Sequence, residues 1–122
     1  MSKLFIVANF NGSFGTEAEA KAAIEAIFAG TDQQRPPEKR FALEAYRKAS
    51  FRTLEPGVQW LEVEGSILAF LIMPNQKGGV WLLNSGNEWC FTTREEAQEL
   101  VDESEAVGHS IGLFIVEQTV PD

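Results

Sequence analysis

Residues 67–73, Ile-Leu-Ala-Phe-Leu-Ile-Met, form an unbroken apolar run of seven, set between Gly65-Ser66 and Pro74. A bilayer crossing needs about 20 such residues, so the run is far too short for one. Its length and boundaries fit a strand buried on both faces. A chain that carries such a strand must build a sheet and cover both of its sides. The cover has to come from the flanking segments.

Lys3–Ala8 is a compact β-type run, and the Asn/Gly-rich stretch from Asn9 to Gly15 predicts a turn-rich link out of it. Thr16-Glu-Ala-Glu19 has the spacing of a capping box, a Thr oxygen for an orphan helix N–H with Glu three residues on. The helix that follows places Ala20, Ala23, Ile24, Ile27 and Phe28 on one stripe, with Gly30 as its predicted stop. Ala18, Ala22, Ala26 and Ala29 leave a second, smooth face. Pro36-Pro37 can open another helix because the missing proline N–H costs nothing there. Glu38–Ala49 then carries Phe41, Ala42, Ala45, Tyr46 and Ala49 as its apolar stripe, and Glu55-Pro56-Gly57 ends the region.

Val58–Glu64 alternates, Gly65-Ser66 turns, and after the central run Pro74–Gly79 turns again. Val80–Leu83 and Glu88–Thr92 flank Asn84-Ser-Gly-Asn87, which predicts a hairpin. Thr93-Arg-Glu-Glu96 is a second capping box. Its helix has Ala97, Leu100, Val101, Ser104 and Val107 inward, Gly108 as stop, and Ile111–Glu117 as the closing strand. The expected fold is α+β in the order βααββββαβ: one mostly antiparallel sheet of five or six strands, with three helices on one face. At 122 residues and 44% hydrophobic content the chain suffices for a single domain, 1–122, with its own core.

Several patterns resemble chemistry and fail on mechanics. Gly108-His-Ser-Ile-Gly112 spells the nucleophile elbow, but that motif needs a strand running in and a helix running out, the reverse of the order here. The base for Ser110 would have to be His109, the lone histidine and its immediate neighbour. Asn11–Thr16 precedes a helix N-terminus but lacks the Gly-Lys-Ser/Thr of a phosphate loop, and Glu17 and Glu19 repel an anion. Trp60, Glu62 and Glu64 share one face of a predicted outer strand, with no second element in view to complete a sugar cleft. Cys90, the single cysteine, lies between Trp89 and Phe91 and reads as a small buried hydrophobe. With one cysteine and one histidine no Cys/His metal cluster is available, so no metal and no cofactor are expected. A signal-type leader is not recognisable at the start, and the expected location is the cytoplasm.

Charge is the more informative feature. The net charge of −8 conceals two unlike regions. Arg35, Lys39, Arg40, Arg47, Lys48 and Arg52 face only Glu38 and Glu44 within 35–52, a balance of +4, so the remainder carries −12. The acid is densest on the last helix, where Glu95, Glu96, Glu99, Asp102, Glu103 and Glu105 cover all but the core stripe. The plain reading is a solvated outer face plus internal pairing such as Arg40–Glu44–Lys48. A second is an acidic face that engages a basic partner, imitating a phosphate array and occluding a positive cleft. Direct nucleic-acid binding through 35–52 ranks last, because the −12 background opposes approach within a Debye length of about 8–10 Å.

The hairpin, the Thr93-Arg-Glu-Glu-Ala97 helix and the closing strand, together residues 80–118, resemble compact acidic inhibitor proteins of phages and mobile elements, of the anti-CRISPR kind. The resemblance implies binding to host defence or transcription machinery, in the host cytoplasm, and transfers no site residue. The expected function is therefore non-enzymatic: a protein-binding module touching a basic, nucleic-acid-binding surface through Glu62, Glu64, Glu95, Glu96, Glu99, Asp102 and Glu103. No membrane partner is expected, and self-association through the alanine face or the sheet edge would give a homodimer. The alternative is a small-molecule or nucleotide-binding protein, or a small enzyme using Glu62, Glu64 or Ser110.

Overall fold

The computed structural model describes residues 2–54, 57–66, 68–86, 88–108 and 112–120. Expectations for Glu55-Pro56, Ile67, Asn87 and the His109-Ser110-Ile111 segment lie outside the described residues. The elements run β1 (Ser2–Phe14), α1 (Glu17–Gln33), a single 3-10 turn (Pro37–Lys39), α2 (Ala42–Lys48), β2 (Arg52–Leu54), β3 (Val58–Glu62), β4 (Leu68–Pro74), β5 (Val80–Gly86), β6 (Cys90–Phe91), α3 (Arg94–Ala106) and β7 (Leu113–Val120). Every strand pairing is antiparallel, which gives the α+β class. The short β2 is a strand the sequence pattern did not separate from the loop after α2.

β4, the apolar run, lies between β3 and β5 as a central strand. Its alternate residues face two ways: Ala69 and Leu71 enter one core, Phe70 and Ile72 the other. The second core is capped by α1 through Ala20, Ile24 and Phe28, and a neighbouring cluster on the same face joins α3's Ala97 and Val101 to Phe5 and Val7. No helix contributes to the first core. Its residues are buried because the sheet curls, bringing Leu54, Val58 and Trp60 against Ile6 and Val116. Order along the curl is β2-β3-β4-β5-β1, with β7 on the far edge of β1. β2 approaches β7 across a seam without pairing to it.

Four expectations are corrected. Asn9–Gly15 is not a link: β1 continues to Phe14, with its register shifted between Phe10 and Gly12, because β5 pairs with Asn9–Phe14. Gly30 does not stop α1, which runs to Gln33. There the Thr31 hydroxyl donates to the Ile27 carbonyl (3.1 Å), and the Asp32 carboxylate accepts from Ala42 N–H (2.8 Å) and Leu43 N–H (3.0 Å), tying α1's end to α2's start. The expected helix 38–49 is therefore split into the 3-10 turn and the seven-residue α2, with Phe41 left exposed between them. β5 and β6 form no hairpin. Both lie along the same edge of β1, β5 against residues 9–14 and β6 against Phe5 and Ile6. The Ser85 hydroxyl donates to the Val7 carbonyl (2.7 Å), and Trp89 N–H donates to the Gly86 carbonyl (3.0 Å), so the chain leaves β1 briefly and returns.

Candidate partner-binding surface

α3 starts where Thr93 adopts an extended conformation and its hydroxyl oxygen accepts from Glu96 N–H (3.3 Å). The same hydroxyl lies 2.9 Å from Glu96 Oε1, a hydroxyl–carboxylate bond that closes the box. The helix is held down by Ala97 and Val101, buried against Phe5 and Val7, with Leu100 alongside. Val107, expected on the inward stripe, follows the last helical residue and is 66% exposed. Gly108, at φ 74°, supplies the left-handed residue that ends the element.

The opposite side of α3 presents Glu95, Glu99, Asp102 and Glu103, all exposed. Among the described residues none of them lies within ion-pair distance of a cation. The nearest base, Arg94, reaches instead to Glu117 (4.0 Å) and over the Phe5 ring (5.5 Å). Gln98 donates to Asp102 (2.9 Å), which leaves the charge in place. Such a row steers cationic surfaces toward it and repels nucleic acid.

The other expected contact residues do not join this row. Glu96 is engaged in the cap. Glu62 ends β3 and accepts the Trp60 indole N–H (2.7 Å), while Glu64 lies beyond it in the turn. α3 packs on β1, β6 and β7, whereas Glu62 and Glu64 border α2 in a cleft of about 530 Å³ shared with Phe41, Glu44 and Lys48. All seven acids are exposed, but Glu62 and Glu64 belong to β3 and the turn after it, beside α2, and not to the α3 row. The pattern Trp60-Glu62-Glu64 also fails as an outer face: Trp60 is 5% exposed and packs inside the curl.

Two of the six bases in the segment form ion pairs among the described residues. Lys48 meets Glu44 (2.9 Å) as expected, and Arg47 meets Glu25 of α1 (3.1 Å). Arg40 does not reach Glu44, because α2 begins only at Ala42. Its Nε donates to the Arg35 carbonyl (2.8 Å) instead. Cys90 is partly buried, and that burial, with Glu62 adding to it, pushes its thiol up to about 11. At neutral pH it is a protonated, weak nucleophile. Among the described residues no three His, Cys, Asp or Glu side chains are grouped to hold a metal ion, and no helix is long and apolar enough to cross a membrane.

One surface escapes a reading of the sequence. Phe10 (55% exposed) and Trp81 (37%) meet edge to face, with ring centroids 6.4 Å apart, beside the register shift between β1 and β5. Trp81 is opposite Met73, which with Phe114 of β7 borders the open seam of the curl. Phe10 sits in the stretch whose Asn and Gly content signals a turn, so only the β1–β5 register reveals the pair. Tryptophan at such a rim is a frequent interface anchor. No protein-family model, curated protein or solved structure matches the chain.

Proposed function

We propose that this chain is a non-enzymatic protein-binding module that lays α3 on a basic, nucleic-acid-binding surface of another protein and occludes it. The observation that carries the reading is the row Glu95, Glu99, Asp102 and Glu103: four carboxylates on a packed helix, none with a cation partner among the described residues. Four like charges on one face oppose one another, a cost that a basic partner would remove. The resemblance of residues 80–118 to phage and mobile-element inhibitors agrees with this and suggests a host nucleic-acid-processing complex as target, met in the cytoplasm.

Use of Glu62 as a catalytic acid is disfavoured by its bond to the Trp60 indole. Affinity capture from the native host, with the triple variant Glu95→Lys, Glu99→Lys, Asp102→Lys alongside, tests the reading. The wild-type chain is expected to retain a basic protein and to lower that protein's nucleic-acid binding, and the variant to lose both effects. Equal capture and equal inhibition by the variant would remove the acidic helix from the mechanism.

A further inference from the structure

The free edge of β7 has a defined hydrogen-bonding pattern. Val7 of β1 directs its N–H to Trp89 (2.9 Å) and its carbonyl to the Ser85 hydroxyl, both on the β5–β6 side. Val7 is opposite Ile115 on its other side, so that pair exchanges no hydrogen bonds and Ile115 must direct its own N–H and C=O away from β1. By alternation Leu113, Glu117 and Thr119 do the same. Four residues of β7 thus present main-chain groups to the seam. Within the described residues no backbone bond outside the ladders reaches them. The Glu117 carbonyl accepts from Gln118 Nε2 (2.9 Å), a side chain standing in for a strand.

Gln118 supplies the second observation. It is 4% exposed, it faces the interior of the curl opposite Leu4, and its Oε1 is buried with no hydrogen-bond partner. It lines a groove of about 510 Å³ at the seam, between Val58, Met73 and Pro74 on one side and Phe114 and Val116 on the other. An apolar groove, an open strand edge and an orphaned acceptor coincide there. An added strand would lie about 4.8 Å outward of β7, with alternate side chains in the groove and on the α3 side.

We propose that the seam beside β7 takes an extended segment of the partner protein, apolar at alternate positions and Lys or Arg between them. The apolar residues fill the groove, the basic ones lie on the face of the sheet that carries Glu117 and α3, within the field of its carboxylates, and the main chain pairs with Leu113, Ile115, Glu117 and Thr119. This rests on the basic-partner reading and specifies the form of that partner. The same charges oppose a second copy in the seam, since two chains of −8 would bring Glu117 and α3 of each together.

The test uses the full chain, isotopically labelled, and a blocked decapeptide of alternating Lys and Val. Saturable binding is expected, with amide shifts at 113–119, Val58 and Met73, and at least tenfold weaker binding when alternate backbone amides of the peptide are N-methylated. Gln118→Met is expected to weaken the peptide at least threefold without lowering Tm. Equal binding of the N-methylated peptide would mean adsorption by charge and overturns the strand site. Shifts confined to α3 would also overturn it, yet leave the basic-partner reading standing. Equal binding of a neutral Thr–Val peptide would overturn the basic requirement, and with it the link to α3. Concentration-dependent dimerisation with these shifts in the absence of peptide would assign the seam to a second copy instead.

Discussion

Glu99 gives the most direct test of whether α3 is shaped for binding rather than for stability. On a helix, side chains three and four apart are neighbours, about 5–6 Å between Cβ atoms. Glu99 therefore faces Glu95 and Glu103 at four and Glu96 and Asp102 at three, and among the described residues no ion pair offsets any of these contacts. Like-charged pairs at this spacing cost about 0.2–0.5 kcal/mol each, so Glu99→Gln relieves about 1–2 kcal/mol at low salt. With a urea m-value of about 1–3 kcal/mol/M, the unfolding midpoint should rise by about 0.3–2 M. At 1 M NaCl the Debye length falls to about 3 Å, shorter than the spacing, and most of the gain should vanish. Urea denaturation followed by circular dichroism at 20 mM and 1 M NaCl measures both. Glu64→Gln, at an exposed turn, serves as the control and should leave the midpoint nearly unchanged. An unchanged midpoint for Glu99→Gln, or a gain that persists in high salt, would refute the repulsion argument. If the argument holds, the stabilised variant should bind its partner less well, because the repelling carboxylates are the ones a basic surface engages.

Phe28→Ala should cost about 3–5 kcal/mol, since the ring is buried, stacks on Tyr46 of α2 (5.5 Å) and meets Phe70 of β4 edge to face (5.8 Å). Thermal unfolding gives the loss, and amide exchange should show α2 opening first, because α2 has seven residues and none fully buried. Cys90 should resist alkylation by iodoacetamide at pH 7 and react increasingly toward pH 11; rapid labelling of the folded protein at pH 7 would contradict the burial that raises its pKa. The sign for stability follows from the same shift. The folded thiol holds its proton more tightly than the unfolded one, so this contribution is full below about pH 9 and is lost as pH rises toward about 11, with the raised Tyr46 acting in the same direction. Asp32 works oppositely. Leu43 N–H foremost, and then Ala42 N–H, lower its pKa, so its contribution is present above about pH 4 and lost in acid, and Asp32→Asn should fray the start of α2 in exchange experiments.

What the sequence made legible is what short-range chemistry determines. Two Thr-x-x-Glu boxes set the starts of α1 and α3, because a side-chain oxygen and an N–H three residues on need no tertiary help. The apolar run of β4 declared a strand covered on both faces, and the structure places it at the centre of the sheet. The errors lie where a distant partner overrides local preference. Asn9–Phe14 has turn chemistry and is a strand because β5 runs alongside. Asn84-Ser-Gly86 has hairpin chemistry and stays extended because β1 is long enough to hold β5 and β6 on one edge. Gly30 offers a stop that the chain passes, since α1's last turn is held by Asp32's bonds to α2.

The same distinction governs the candidate surface. Which residues are acidic is written in the sequence, but which of them stand unpaired is decided by topology. Glu62 and Glu96 look equivalent to Glu99 in composition. One is claimed by the Trp60 indole and the other by the Thr93 hydroxyl, while Glu99 is left among carboxylates alone. The seam is further still from legibility. It lies where β7 faces Val58, Met73 and Pro74 without a strand pairing between them, and hydrogen bonds to Trp89 and Ser85 fix which edge of β1 its Val7 uses. No property of Leu113, Ile115, Glu117 or Thr119 as residues marks their main-chain groups as free. Only the phase of the ladder does, and that phase places an open strand edge next to the helix that carries the uncompensated acid.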